Sequence, residues 1–300
     1  MLSPFALPES SEVRTLPGLK KQRTLGAAVS TEGVGLFTGE KVSICLKPSL
    51  DESGIVFQRT DLPHRPILPA KLEYVQGTPR CTIIGDNGVV VQTVEHILAA
   101  LKGCEIDHVL IEISGAEVPI FDGSSTRFIE MIQEAGIVEL QGRRTIYSIE
   151  TPMFWSQGEI QLIALPSHEY RISYVLDYPH STAIGTQFYS IAVNQESFEK
   201  EIASCRTFSI YEEIAPLIEK GFIKGGSLDN AIIVKENQVI NPGGLRFSDE
   251  MVRHKILDLI GDLSLVPVPF LAHIIAICSG HTSNNAFAKE LFKHIKMENS

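Results

Sequence analysis

The sequence lacks what would let it cross a membrane, staple itself with disulfides or wrap a polyanion. Its 300 residues include five cysteines, Cys45, Cys81, Cys104, Cys205 and Cys278, an odd and scattered set with no C-x-x-C pair. That argues against a disulfide framework and a cysteine-ligated zinc site, and points to a reducing compartment. Positive charge is in deficit, with 26 Lys+Arg against 36 Asp+Glu and a formal net charge of −10. With no basic tract, no nucleic-acid partner is expected. The most apolar stretch, residues 265–278, is broken by Pro267, Pro269 and His273. It falls short of the roughly 20 residues a spanning helix needs, so no stable membrane insertion is expected. The first twenty residues have no basic start and are interrupted by Pro4, Pro8 and Pro17. They do not read as a secretory signal, and a cytoplasmic protein is expected. Three catalytic signatures are also missing: the phosphate loop G-x-x-x-x-G-K-[ST], the nucleophile elbow G-x-S-x-G, and H-E-x-x-H.

What is present is ordinary globular composition, 44% hydrophobic and 21% charged. The length suits two domains of about 100–150 residues each. Residues 1–20 read as a flexible tail. The polar run Gln141-Gly142-Arg143-Arg144 suggests a boundary between a first domain, 21–141, and a second, 142–300. Strand-like alternation in Val42–Leu46 follows a glycine loop, Gly33-Val34-Gly35-Leu36-Phe37-Thr38-Gly39. Asp86-Asn87-Gly88 between apolar runs signals a hairpin. Thr93–Lys102 reads as a helix capped by Thr93, Thr126–Ala135 as a second, and Asp249–Leu263 as a third. Phe270–Cys278 reads as a strand and Asn284–Ile295 as a closing helix. Hairpins precede helices in both halves. That favours an α+β fold, two similar two-layer domains of mainly antiparallel sheet and helices with small inserts, over a doubly wound sheet.

On the helix 249–263, His254, Asp258 and Asp262 fall at i, i+4 and i+8, one stripe. Imidazole and carboxylate one turn apart can share a divalent metal, and also describe a salt-bridged polar face. Glu95-His96 on the first helix adds a distant imidazole. Adjacent helical residues diverge by about 100°, so if His96 held a metal, Glu95 would be left to take a proton from water. An exposed Glu beside a core histidine is the plainer alternative. His281, between a buried strand and a helix, reads as a reacting group or a surface residue. His273 lies inside an apolar strand as a core residue, and His108 begins a strand with nothing to pair it. His64, His168, His180 and His294 read as solvated. A glycoside hydrolase using Asp258 and Asp262 stays open at this point.

Seven segments in order carry a resemblance to a known family. They are G-V-G-L-F-T-G (33–39), T-V-E-H-I-L-A-A-L (93–101), E-V-P-I-F-D-G-S (117–124), C-R-T-F (205–208), L-R-F (245–247), R-H-K-I-L-D-L-I-G-D-L (253–263) and S-G-H (279–281). Together they resemble the UDP-3-O-acyl-N-acetylglucosamine deacetylases, zinc hydrolases that commit bacteria to lipid A synthesis. The resemblance runs from about Gln22 to Ile295. It implies one catalytic Zn2+ held by His96, His254 and Asp258, with Glu95 as general base. It implies that His281 assists the oxyanion and protonates the leaving amine, that Asp262 orients it, and that Thr207 helps hold the oxyanion. Phe208 would line the substrate and Lys255 would contact it. The active site would lie between the domains, and a second-domain insert near 204–228, with Ile210, Ile214, Leu217 and Ile218 on a helix, would form an apolar passage for the acyl chain. The resemblance also implies a UDP-sugar substrate and a monomer.

The chain departs from the family at two places. Phe37 stands where many members have histidine, and Cys278 stands where many have a basic residue three before the active-site histidine. A non-catalytic nucleotide-sugar-binding protein on the same fold is the rival reading. Retention of Glu95, His281 and all three ligand positions argues against it.

Overall fold

In the computed structural model, which describes residues 16–50 and 53–298, the two halves repeat one topology. The first half holds a five-stranded sheet in spatial order Val29–Val34, Lys41–Pro48, Val109–Ile113, Ile55–Arg59, Ile67–Pro69. The second holds Met153–Gln157, Ile160–Leu165, His273–Ile277, Arg171–Tyr178, Gly185–Ala192. Counted within each half, the order is 1-2-5-3-4. Every neighbouring pair is antiparallel except strand 5 with strand 3. Burial alternates along these strands, as in Val109–Ile113, so each sheet presents one apolar face to the helices.

Six helices follow in chain order: α1 (Glu95–Gly103), α2 (Thr126–Ala135), α3 (Gln195–Glu201), α4 (Tyr211–Glu219), α5 (Glu250–Leu263) and α6 (His281–Glu298). Each half carries a small three-stranded sheet inserted between its fourth strand and its central helix. In the first half the insert is Val75–Gly77, Ile83–Asp86 and Val89–Gln92, with the expected turn at Asn87-Gly88, both at positive φ. In the second it is Phe208–Ile210, Ile232–Lys235 and Gln238–Val239, with α4 between its first two strands. This unit continues past residue 228, where the expected insert ends.

The halves meet where α1 packs on α5. α1 is buried almost all round, with Ile97, Leu98, Ala99, Ala100 and Leu101 inaccessible to solvent, which makes it a core helix shared by both halves. One continuous hydrophobic core joins the two sides. α1 and α5 approach closely at Gly261, where an added Cβ would collide with the backbone carbonyl of Glu95. A glycine inside a helix costs about 1 kcal/mol relative to alanine, and here it lets the two backbones touch.

Four boundaries differ from the sequence reading. Residues 1–15 of the expected tail lie outside the described residues, while Leu16–Leu25 is a strand paired with Ile137–Ser148. The 141/142 boundary falls inside that second strand. Its polar residues belong to an ordered ribbon, in which Arg144 is buried and bonds Asp107 through Nε (2.7 Å) and Nη2 (2.6 Å). Thr93 does not cap α1. It sits at φ 59°, and its hydroxyl bonds Glu117 instead. The expected strand 270–278 breaks at Ala272, because Phe270–Leu271 pairs with Tyr147–Ser148 while His273–Ile277 enters the second sheet.

If the contact at Gly261 sets the distance between α1 and α5, Gly261→Ala overpacks it. The expected loss is about 1–3 kcal/mol of unfolding free energy, read as a lower urea midpoint at unchanged slope.

Candidate active site

α1 and α5 bring their polar residues face to face inside the core. His96, His254 and Asp258 are each at most 4% exposed. One ligand atom from each lies within 4.8 Å of the others. Asp258 Oδ1 is 3.2 Å from His254 Nε2 and 3.7 Å from His96 Nε2. The two imidazoles stand edge to face, 5.1 Å between centroids. Burial lowers the His96 pKa, favouring the neutral ring that a metal requires. His254 Nδ1 contacts the Cys205 carbonyl at 3.0 Å, which fixes the tautomer and turns Nε2 toward Asp258. His96 Nδ1 is buried and has no hydrogen-bond partner among the described residues. Burial opposes the charge on Asp258, but Lys255 and His254 hold its carboxyl well below the usual range. Lys255 Nζ donates to Asp258 Oδ2 at 2.8 Å. Two imidazole nitrogens and one carboxylate oxygen, buried and converging, are a fitting donor set for zinc.

Beside this set lies a second network. Glu95 is 3% exposed, and burial pushes its carboxyl up to about 7, against the pull of the nearby His281. Its Oε2 accepts the backbone N–H of Thr82 at 3.0 Å, while Oε1 lies 3.8 Å from His281 Nε2. His281 Nδ1 contacts Asp262 Oδ2 at 2.9 Å. Burial disfavours charge on His281, but the carboxylates of Asp262, Glu95 and Asp258 outweigh it and push the imidazole up to about 9. Asp262 is fully buried and accepts from Thr82 Oγ1 (2.6 Å) and Asn284 Nδ2 (2.8 Å) as well. Glu95 and His281 thus have pKa values displaced in the directions a base and an acid need near neutral pH.

Both networks border a cavity of about 690 Å³. His254, Lys255, Asp258 and His281 line one part of it, together with Thr207 and Phe208. Ile210, Ile214, Ile218, Ile223, Ile233 and Ile240 line another, a hydrophobic arm built from α4 and the second insert. Arg80 and Lys255 are the only lysine or arginine residues among the described residues of its wall.

All nine expected site residues are therefore buried at, or line, one region. His281 is the first residue of α6, not a loop residue. The helix starts three positions earlier than expected, with Ser283 Oγ accepting the Gly280 N–H. Asp258 and Asp262 do not form a carboxylate pair with each other: Asp258 turns to His254 and Lys255, and Asp262 to His281 and Thr82. His108 is not unpaired, since its Nδ1 accepts the Gly54 N–H. His273 is only partly buried and contacts Ser173. The sequence reading missed Thr82, which holds Glu95 through its amide and Asp262 through its hydroxyl. Its only mark in the sequence is its place just before the apolar pair Ile83-Ile84.

A family model described as UDP-3-O-acyl N-acetylglycosamine deacetylase (LpxC) matches residues 22–293. The chain belongs to that family. Relatives named UDP-3-O-acyl-N-acetylglucosamine deacetylase agree with it. That of Chlamydia pneumoniae is 47% identical over 279 residues, covering 93% of this chain and 99% of the relative. That of Chlamydia muridarum is 47% identical over 279 residues, 93% and 97%. That of Chlamydia caviae is 46% identical over 274 residues, 91% and 98%. Phe37 and Cys278, the two positions at which the sequence reading expected departures from the family pattern, both line the cavity.

The His281–Asp262 pair yields a titration test. A histidine whose folded pKa exceeds its usual 6.5 stabilises the fold fully below that pH and loses the contribution as pH rises through about 9. NMR titration of the metal-free protein should show His281 still protonated at pH 8, and in Asp262→Asn its midpoint should fall.

Proposed function

We propose that the deacetylase reaction for which the family is named takes place in this cleft. The chain hydrolyses the N-acetyl amide of UDP-3-O-acyl-N-acetylglucosamine to the free amine and acetate, the deacetylation step of lipid A biosynthesis. The observation that carries this reading is the convergence of His96, His254 and Asp258 beside Glu95 and His281 at one cavity with an apolar arm.

His96, His254 and Asp258 would hold the zinc ion. Bound there, zinc supplies Lewis acidity, which polarises an amide carbonyl and lets water attack near neutral pH. Glu95 takes the attacking water's proton. Thr82 ties up one of its oxygens, so the other is presented toward His281 and the reaction space. Charged His281 stabilises the developing oxyanion and then donates its proton to the departing nitrogen, which would otherwise leave as a poor amide anion. Asp262 keeps the imidazole charged and oriented. Thr207 adds a hydroxyl to the oxyanion side. Phe208 and the isoleucines of the apolar arm receive the acyl chain, and Lys255, besides steadying Asp258, faces the sugar nucleotide. All five cysteines are free thiols, which supports a reducing, cytoplasmic setting. Among the described residues no helix is long and apolar enough to cross a membrane.

Replacing Glu95 by alanine should lower kcat by about 10²–10⁴-fold while elemental analysis still finds about one zinc per chain; an unchanged rate would remove Glu95 as the base. Because His281 must be protonated to act, wild-type activity should fall on the alkaline side as that imidazole loses its proton. His281→Gln should show low activity without that alkaline limb, and a limb that persists in the variant would assign it to another group.

A further inference from the structure

Two motifs of the sequence take no part in the chemistry above: the glycine loop 33–39 and the segment that begins at Glu117. The structure joins them. Glu117 is 2% exposed. Among the described residues no cation pairs with its carboxylate, which is satisfied by four donors. Oε1 accepts the backbone N–H of Phe37 (2.8 Å) and the hydroxyl of Thr93 (3.3 Å). Oε2 accepts the backbone N–H of Thr38 (2.8 Å) and its hydroxyl (2.7 Å). The loop wraps the carboxylate so tightly that a Cβ on Gly35 would collide with it.

The opposite side of the same loop holds the second-half insert. The carbonyl of Leu36 accepts the Gly225 N–H at 3.0 Å, and the carbonyl of Phe37 accepts the Lys224 N–H at 3.2 Å. Leu36 and Phe37 on the loop, and Ile223 and Gly226 on the insert, all line the cavity. This wall of the apolar arm is therefore hung on a loop from the other half, and that loop, a hairpin turn closed by its own Gly35–Glu40 and Gly39–Gly35 backbone bonds, is gripped by one carboxylate. Thr93 lies two residues before Glu95, so the same carboxylate also touches the segment that leads into α1.

We propose that Glu117 is a positioning residue that fixes the wall of the acyl passage and thereby sets how strongly the enzyme prefers its acylated substrate. The inference rests on the deacetylase reading for its substrate, but not for its structural half. A carboxylate orders two adjacent amides and two hydroxyls at once. A carboxamide offers a single acceptor oxygen and adds an N–H₂ that faces donors, so at least one donor in Glu117→Gln is left without a partner.

The test uses the full zinc enzyme with Glu117→Gln and, should that variant not fold, Thr38→Val, which removes one donor and leaves the charge in place. Hydrogen exchange is the first readout. The amides of Lys224 and Gly225 should exchange about tenfold faster or more, while those of Leu98 and Ala99 in α1 stay protected. The second is kinetic, on UDP-N-acetylglucosamine carrying a long or a short 3-O-acyl group. The preference for the long chain should fall about tenfold, through KM more than kcat, at unchanged zinc content. Equal losses for both chain lengths, or a loss in kcat alone, would mean a merely structural role and overturn the proposal. So would unchanged exchange at Lys224 and Gly225. If the wild type deacetylates neither substrate, the functional reading fails, and the exchange experiment still decides the role of Glu117 in holding the insert.

Discussion

The structure depends on one contact, the touch of two helix backbones where Gly261 of α5 meets Glu95 of α1. Each helix belongs to a different half. Held apart by a side chain, they would carry His96 away from His254 and Asp258, and Glu95 away from His281. Pressed together, they bury six ionisable groups that are each at most 4% exposed except His281. Such burial is expensive unless every charge finds a partner. The partners are present. Lys255 and the two imidazoles answer Asp258, His281 and two neutral donors answer Asp262, and an amide answers Glu95.

The same economy explains how a chain with net charge −10 can serve an anionic sugar nucleotide. Asp177, Glu213 and Asp258 share the cavity wall with Arg80, Lys255 and a histidine whose pKa is pushed up to about 9, so the wall itself does not carry the chain's acidic excess. Lys255 is already engaged with Asp258. Arg80 is about half exposed and makes a 3.3 Å contact with Glu213 of α4 across the cleft. Cys278 sits in the wall at φ 52° and offers no positive charge.

Much of this was legible in the sequence, and the rest failed for physical reasons. The i, i+4, i+8 stripe of His254, Asp258 and Asp262 follows from helical period alone, and so does the divergence of Glu95 and His96. Assigning roles to His281 and Thr207 took the family resemblance, because the convergence of His281 with Glu95 spans more than 180 residues of chain. Thr82 was invisible, since a threonine at a strand start looks the same whether or not it bridges two carboxylates. Glu117 and Gly261 were printed inside recognised motifs but act through partners far away in sequence. The early start of α6 escaped because Gly280 does the work of a cap without a cap residue's signature. The repeated 1-2-5-3-4 topology left no periodic mark, since sheet order is a matter of register and crossover rather than of local pattern.

The central claim is that one metal site is shared by the two halves across the α1–α5 contact. Its most direct test is the zinc-dependent gain in unfolding free energy, measured by urea titration of chelated protein with and without added zinc. With free zinc at about 100 times the dissociation constant, linkage predicts a gain of about 2.7 kcal/mol for the wild type. The account predicts that this gain is lost in His96→Ala, although two of the three ligands, His254 and Asp258, remain on α5. A His96→Ala protein that keeps the wild-type gain at the same free zinc would contradict it.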